Sequence, residues 1–124
     1  MKLLLDTHVL LWWLEGSVRL SRQARQTIAG SEEVWVSAAS AWELGIKSAL
    51  GKLRTPDDLE FQVKASRFRE LPVTLAHAVA AGKLPRHHND PFDRMLVAQA
   101  ALESLTLLTV DRQLQAYGIR VILA

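Results

Sequence analysis

The chain has 124 residues, a length that suits one compact domain over residues 1–124 with a core that stands without staples. It contains no cysteine, which excludes a disulfide framework, a thiolate metal site and a cysteine nucleophile, so any metal must be held by oxygen or imidazole. Lysine and arginine exceed aspartate and glutamate by only two, 15 against 13, too small a basic excess to announce nonspecific binding to duplex nucleic acid. Basic residues do gather in two stretches, Lys64, Arg67 and Arg69, and Lys83, Arg86, His87 and His88. Either a phosphate groove or a solvated face accounts for them.

In chain order, residues 2–6 (KLLLD) form an apolar run ending in a carboxylate, as in a central parallel strand covered on both faces. Residues 7–16 read as a helix closed by Gly16, and residues 21–30 as a second, with Ser21 as N-cap and Gly30 as stop. Residues 34–36 (VWV) are a strand leading into a third helix, where Ala39, Trp42, Ile46, Ala49 and Leu53 recur at helical spacing and Gly51 marks the end. Pro56 and Asp57 open an amphipathic helix to about Arg69. A short strand is expected over 71–73, then a helix over LAHAVAAG.

After the loop KLPRHHND, Asp90 as N-cap and Pro91 at the first helical position begin a helix through Leu102. TLLTVD repeats the opening pattern of an apolar strand ending in a carboxylate. A brief helix to Tyr117 and Gly118 and a last strand, RVIL, complete the chain. Strands alternating with helices predict a three-layer α/β/α sandwich with a mainly parallel central sheet. The longest apolar runs are interrupted by Asp6 and His8 and fall short of the roughly 20 residues of a membrane span. Asp6 and Glu15 also break any secretory-leader layout, so a cytoplasmic protein is expected.

Ligands of open parallel sheets bind beyond the carboxyl ends of the strands, and four acids fall in that zone: Asp6, Glu43, Asp93 and Asp111. Clustered carboxylates raise one another's pKa unless a cation neutralises them. Magnesium or manganese is the natural partner, because both prefer oxygen donors and keep water ligands, which suits phosphodiester hydrolysis. Each acid also has a plainer reading. Asp93 with Asp90 caps a helix and offsets its dipole; Glu43 stands in capping-box spacing from Ser40 and four residues before Lys47; Asp111 caps the next short helix. Asp6 is hardest to explain this way, since a carboxylate among apolar neighbours needs a partner or a metal.

Taken together, LLLDTHVLLWWL, SAASAWELGIK, HHNDPFDRMLVAQA and LLTVDRQL resemble the PIN-domain ribonucleases, in particular the VapC-type toxins of bacterial toxin–antitoxin operons. The likeness spans nearly the whole chain. It implies a PIN-like fold in which Asp6, Glu43 and Asp93 are the first, second and third metal-binding acids. Asp111 is then the fourth, in a T-x-D pattern with Thr109 as hydrogen-bonding companion, and Asp90 is a helix cap close behind the ligands. It further implies Mg2+ or Mn2+, endonucleolytic cutting of RNA by metal-activated water to leave a 3′-hydroxyl and a 5′-phosphate, a homodimer, and a cognate antitoxin that reaches into or beside the acidic site.

Around these acids, Arg94 is a candidate phosphate holder or ion-pair partner, and His8 lies two residues from Asp6. The histidines are expected to stay out of the metal's ligand set. Trp12, Trp13, Trp35 and Trp42 suit either core packing or base stacking, and one of the adjacent pair Trp12 and Trp13 is expected to face outward toward a partner. Two other functions compete. An aspartyl-phosphate receiver or phosphatase would use Asp6 as nucleophile, but lacks a second aspartate two residues later and a lysine after a late strand. The presence of all four acids argues against a catalytically inactive module that only binds RNA or protein without proving turnover, and such a module would have no reason to take up manganese through these carboxylates.

Overall fold

The computed structural model describes residues 1–124. Five strands, β1 (Lys2–Leu5), β2 (Glu33–Ser37), β3 (Arg69–Leu71), β4 (Thr106–Thr109) and β5 (Val121–Leu123), form one sheet in the order β3-β2-β1-β4-β5. Every pairing is parallel, with Leu4 of β1 opposite Trp35 of β2 and Leu107 of β4.

Side chains alternate across a strand, and this sequence uses both faces. Leu3, Leu5, Val34, Val36 and Leu108 pack with Val9 and Leu10 of α1 (Thr7–Glu15), Ala24 and Ile28 of α2 (Arg22–Ala29) and Leu44 of α3 (Ala38–Ala49). Leu59 and Val63 of α4 (Leu59–Ala65) close the edge of that layer. On the opposite face Leu4, Leu71 and Leu107 meet Leu96, Val97 and Ala100 of α6 (Pro91–Glu103), with α5 (Leu75–Lys83) packed beside α6. Each fully buried leucine contributes about 1.5–3 kcal/mol, which explains why the run Leu3–Leu5, wholly buried, occupies the central strand. The three layers match the expected sandwich. No helix is long and apolar enough to cross a membrane.

Two elements differ from their expected bounds. The third strand ends at Leu71 instead of spanning 71–73, because Pro72 has no N–H for the ladder. The fourth helix spans seven residues rather than running from Pro56 to Arg69. Asp58 makes no side-chain cap, and Arg67 at φ 62° turns left-handed, so that Arg67 and Phe68 donate back to the carbonyls of Lys64 and Val63. No glycine marks that stop.

The strand order reverses between β1 and β4: the chain winds outward through β2 and β3, then crosses back to β4 and β5. Such a reversal leaves a crevice beyond the carboxyl ends of the two central strands, and Asp6 and Thr109 stand at those ends.

Candidate active site

Asp6 leaves β1 in extended conformation and caps α1, its Oδ1 accepting from the Val9 N–H at 2.8 Å. Its Oδ2 accepts from the Thr109 hydroxyl and from the Val110 N–H at 3.3 Å. The side chain is thus tied to two neighbouring strand ends and is only 4% exposed. Burial pushes its carboxyl above the ordinary aspartate value, and the bonds from Thr109, Val9 and Val110 oppose that shift.

Glu43 reaches the same region from α3. Ser37 rather than Ser40 caps this helix, accepting from the Ala39 N–H at 3.0 Å. Glu43 is therefore an interior helical residue, not the partner in a capping box. Its Oε1 accepts from Thr7 Oγ1 at 2.6 Å, and its Oε2 lies 2.6 Å from Lys47 Nζ. Thr7 follows Asp6 directly, so the first and second acids share a support. The hydrogen bond to Glu43 raises the Lys47 ammonium, with Asp90 and Asp93 adding to it.

Asp93 lies in the first turn of α6, which begins as expected with Pro91 and with Asp90 accepting from the N–H groups of Phe92 (2.8 Å) and Asp93 (3.2 Å). A helix N-terminus favours a carboxylate, yet burial and then the charges of Asp90, Asp6 and Glu43 push Asp93 up to about 7, with His88 opposing them. Asp6 and Glu43 are the smaller of these influences, after burial and Asp90. Asp111 stands at the rim. It caps the 3-10 helix Arg112–Tyr117 through Oδ1, which accepts from the Gln113 N–H at 2.9 Å, while its own N–H donates to Thr109 Oγ1 at 3.1 Å.

The sequence predicts no histidine among the metal's ligands and singles out only His8 as a neighbour of the acids; the structure sets His88 beside two of them. His88 Nε2 is 2.7 Å from Asp111 Oδ2 and 3.4 Å from Asp93 Oδ2, and the three residues offer ligand atoms within 4.8 Å of one another. The available signal was the run His88-Asn89-Asp90-Pro91, an imidazole two residues ahead of a helix cap. The other histidines lie elsewhere. His77 is buried in the α5 cap and bonded to Glu103 at 2.8 Å, His87 packs on Tyr117, and exposed His8 packs on Trp12.

Two further expectations are corrected. Arg94 is not free to hold a phosphate, since its guanidinium donates to the carbonyls of Ala81, Leu84, Pro85 and His88 at 2.9–3.4 Å. Neither Trp12 nor Trp13 faces outward, as both are half-buried against the α1 core. The exposed tryptophan is Trp42, 68% accessible and edge-on to Phe92 at 5.6 Å.

A family model described as "PIN domain" matches residues 3–119. Ribonuclease VapC22 of Mycobacterium tuberculosis is 34% identical over 117 residues, covering 92% of this chain and 90% of that protein. Among solved structures, DNA-bound VapBC from Salmonella typhimurium superposes with a TM-score of 0.72 at 19% identity, over 98% of this chain and 97% of that one. A toxin–antitoxin complex from Klebsiella pneumoniae gives 0.70 at 19% identity, over 98% and 96%. With nearly its whole length matched by the family model, the chain belongs to the PIN domain family.

Proposed function

We propose that this chain is a divalent-cation-dependent endoribonuclease, a single domain over residues 1–124 serving as the toxin of a toxin–antitoxin pair. The observation that carries the reading is the set of acids beyond the central strands: Asp6 and Glu43 are buried there, and Asp93 and Asp111 lie with ligand atoms within 4.8 Å of one another and of His88. A donor set rich in carboxylates and without a thiolate fits Mg2+ or Mn2+ better than a softer ion. Asp6, Glu43 and Asp93 would hold it, with Asp111 joining from the rim. When bound, such an ion supplies charge to polarise a phosphodiester and lower the pKa of a water.

The chain's own residues prepare this arrangement. Thr109 and the N–H groups of Val9 and Val110 keep the Asp6 carboxylate oriented. Thr7 and Lys47 fix the two oxygens of Glu43. Exposed Lys83, Arg86 and His87, in or beside the loop that carries His88, are suited to meet the backbone of an RNA strand. RNA as substrate rests on the relationship to ribonuclease VapC22.

An antitoxin partner is suggested by the VapBC and toxin–antitoxin complexes that share the fold. Exposed Trp42, Val73, Leu75 and Val79 support it, as does the apolar groove of about 510 Å³ lined in part by Trp42, Val73, Phe92 and Met95. The same surface supports a homodimer.

The test is cleavage of RNA by purified protein with Mg2+ or Mn2+ and with EDTA. Cleavage is expected only with the ion, and Asp6→Asn or Asp93→Asn is expected to reduce it by roughly a hundredfold or more while leaving the circular dichroism unchanged. Undiminished cutting in both variants removes the assignment.

A further inference from the structure

The loop that brings His88 to the acids carries a second imidazole beside it. His87 is exposed, its ring nitrogens make no hydrogen bond within the chain, and its ring meets Tyr117 edge-on, with centroids 5.1 Å apart at 67°. Tyr117 ends the 3-10 helix that Asp111 caps; its ring packs on the core around Leu107 and Leu114, and its hydroxyl is buried. Tyr117 is thus a fixed support and His87 the accessible ring. Consecutive Cα atoms lie about 3.8 Å apart, so one imidazole touches Asp111 while the next stands at the surface alongside. Around them Lys83, Arg86 and Arg112 are exposed, and none makes an ion pair within the chain. Pinning the loop does not require His87, because the Arg94 guanidinium already holds the carbonyls of Ala81, Leu84, Pro85 and His88.

We propose that His87, supported from beneath by Tyr117, is a stacking platform for one unpaired base of a single-stranded RNA whose backbone passes the acids. Aromatic rings set among cations are the combination that holds single strands, the cations following the phosphates and the rings taking the bases. Every base has a π-face, so the platform accepts a base without fixing its identity. A duplex keeps its bases stacked on one another and offers none to His87, so the platform favours loops and unpaired ends. The unengaged ring nitrogens of His87 are free to bond the edge of the same or a neighbouring base. This inference rests on the ribonuclease reading above and narrows the contact of His87 from the RNA backbone to a base, leaving Lys83 and Arg86 to the phosphates.

The test is fluorescence anisotropy with the full chain at low salt in EDTA, which stops cation-dependent cutting. The probes are a labelled oligoadenylate and an abasic ribose–phosphate strand of the same length, against wild type, His87→Ala and His87→Trp. His87→Ala is expected to weaken oligoadenylate binding about tenfold and to leave the abasic strand unchanged. His87→Trp, which keeps a ring in place, is expected to hold the wild-type affinity. Displacement of the loop would weaken both strands alike, so the abasic strand separates stacking from a merely structural role. Equal oligoadenylate affinity in wild type and His87→Ala, equal losses on the two strands, or no recovery in His87→Trp overturns the platform. So does a wild type that binds oligoadenylate no better than the abasic strand. Each of these outcomes leaves the nuclease reading standing, since that reading fails instead on cutting that survives in Asp6→Asn and Asp93→Asn.

Discussion

The Thr109 hydroxyl donates to the Asp6 carboxylate across 103 residues of sequence, joining the ends of the two central strands. It also accepts from the Asp111 N–H, so one hydroxyl sits between two of the candidate acids. Thr109→Val keeps the volume and removes both bonds, leaving a buried carboxylate short of a donor. A loss of about 1–3 kcal/mol is expected in urea unfolding at pH 8. Because the Thr109 bond is the largest factor lowering the Asp6 carboxyl, the loss is expected to be smaller at pH 4, and Thr109→Ser to restore most of it.

Stability without metal is expected to fall as pH rises. Asp6 and Asp93 both have carboxyls raised above their ordinary values, Asp93 to about 7. Between the unfolded value of 3.8 and about 7, the folded chain binds more protons at Asp93 than the unfolded chain does, so this group's contribution decreases across that window. Adding Mg2+ or Mn2+ is expected to reverse the trend above pH 7, and cation affinity is expected to rise through the same range. Thermal melts at pH 5, 7 and 8 with and without the ion check both.

Asp93→Asn removes the charge that the fold disfavours. At pH 8 without metal, the variant is expected to be more stable than wild type by about 2 kcal/mol, an order-of-magnitude figure reduced for the partial exposure of the carboxyl. The same variant is expected to lose cation uptake. A variant less stable than wild type under these conditions would contradict the electrostatic account of the site.

Lys47 places an ammonium on Glu43 and near Asp90 and Asp93, where it competes with any added cation. Lys47→Met is expected to lower metal-free stability while tightening Mn2+ binding severalfold, read by calorimetry at low salt.

Arg94 ties four carbonyls from Ala81 to His88 to α6. A lysine ammonium cannot span them. Arg94→Lys is expected to cost about 1–3 kcal/mol and to speed amide hydrogen exchange across residues 84–90.

The centre of the fold was readable because apolar runs ending in aspartate are rare enough to mark strands and a site together, as Leu3–Asp6 does. The edges were less so. Pro72 ends β3 by chemistry visible in the chain, moving the strand to Arg69–Leu71, but the left-handed turn at Arg67 has no marker at the level of residue type. Glu43 was ambiguous because Ser37 and Ser40 both suit an N-cap, and only the first is used. His88 reads in the sequence only as part of a basic stretch, because its contact with Asp111 depends on a loop that folds back toward the end of β4, a long-range relation that local spacing does not encode.

Asp6 follows directly on β1, the strand with hydrogen-bonded neighbours on either side, whereas His88 and Asp111 stand on connections at the surface. One half of the candidate site therefore opens only when the whole sheet does, and the other half is free to breathe while the molecule stays folded. Substrates of different shape would be accommodated by the loop-borne half, with the anchoring carboxylate held still beneath them.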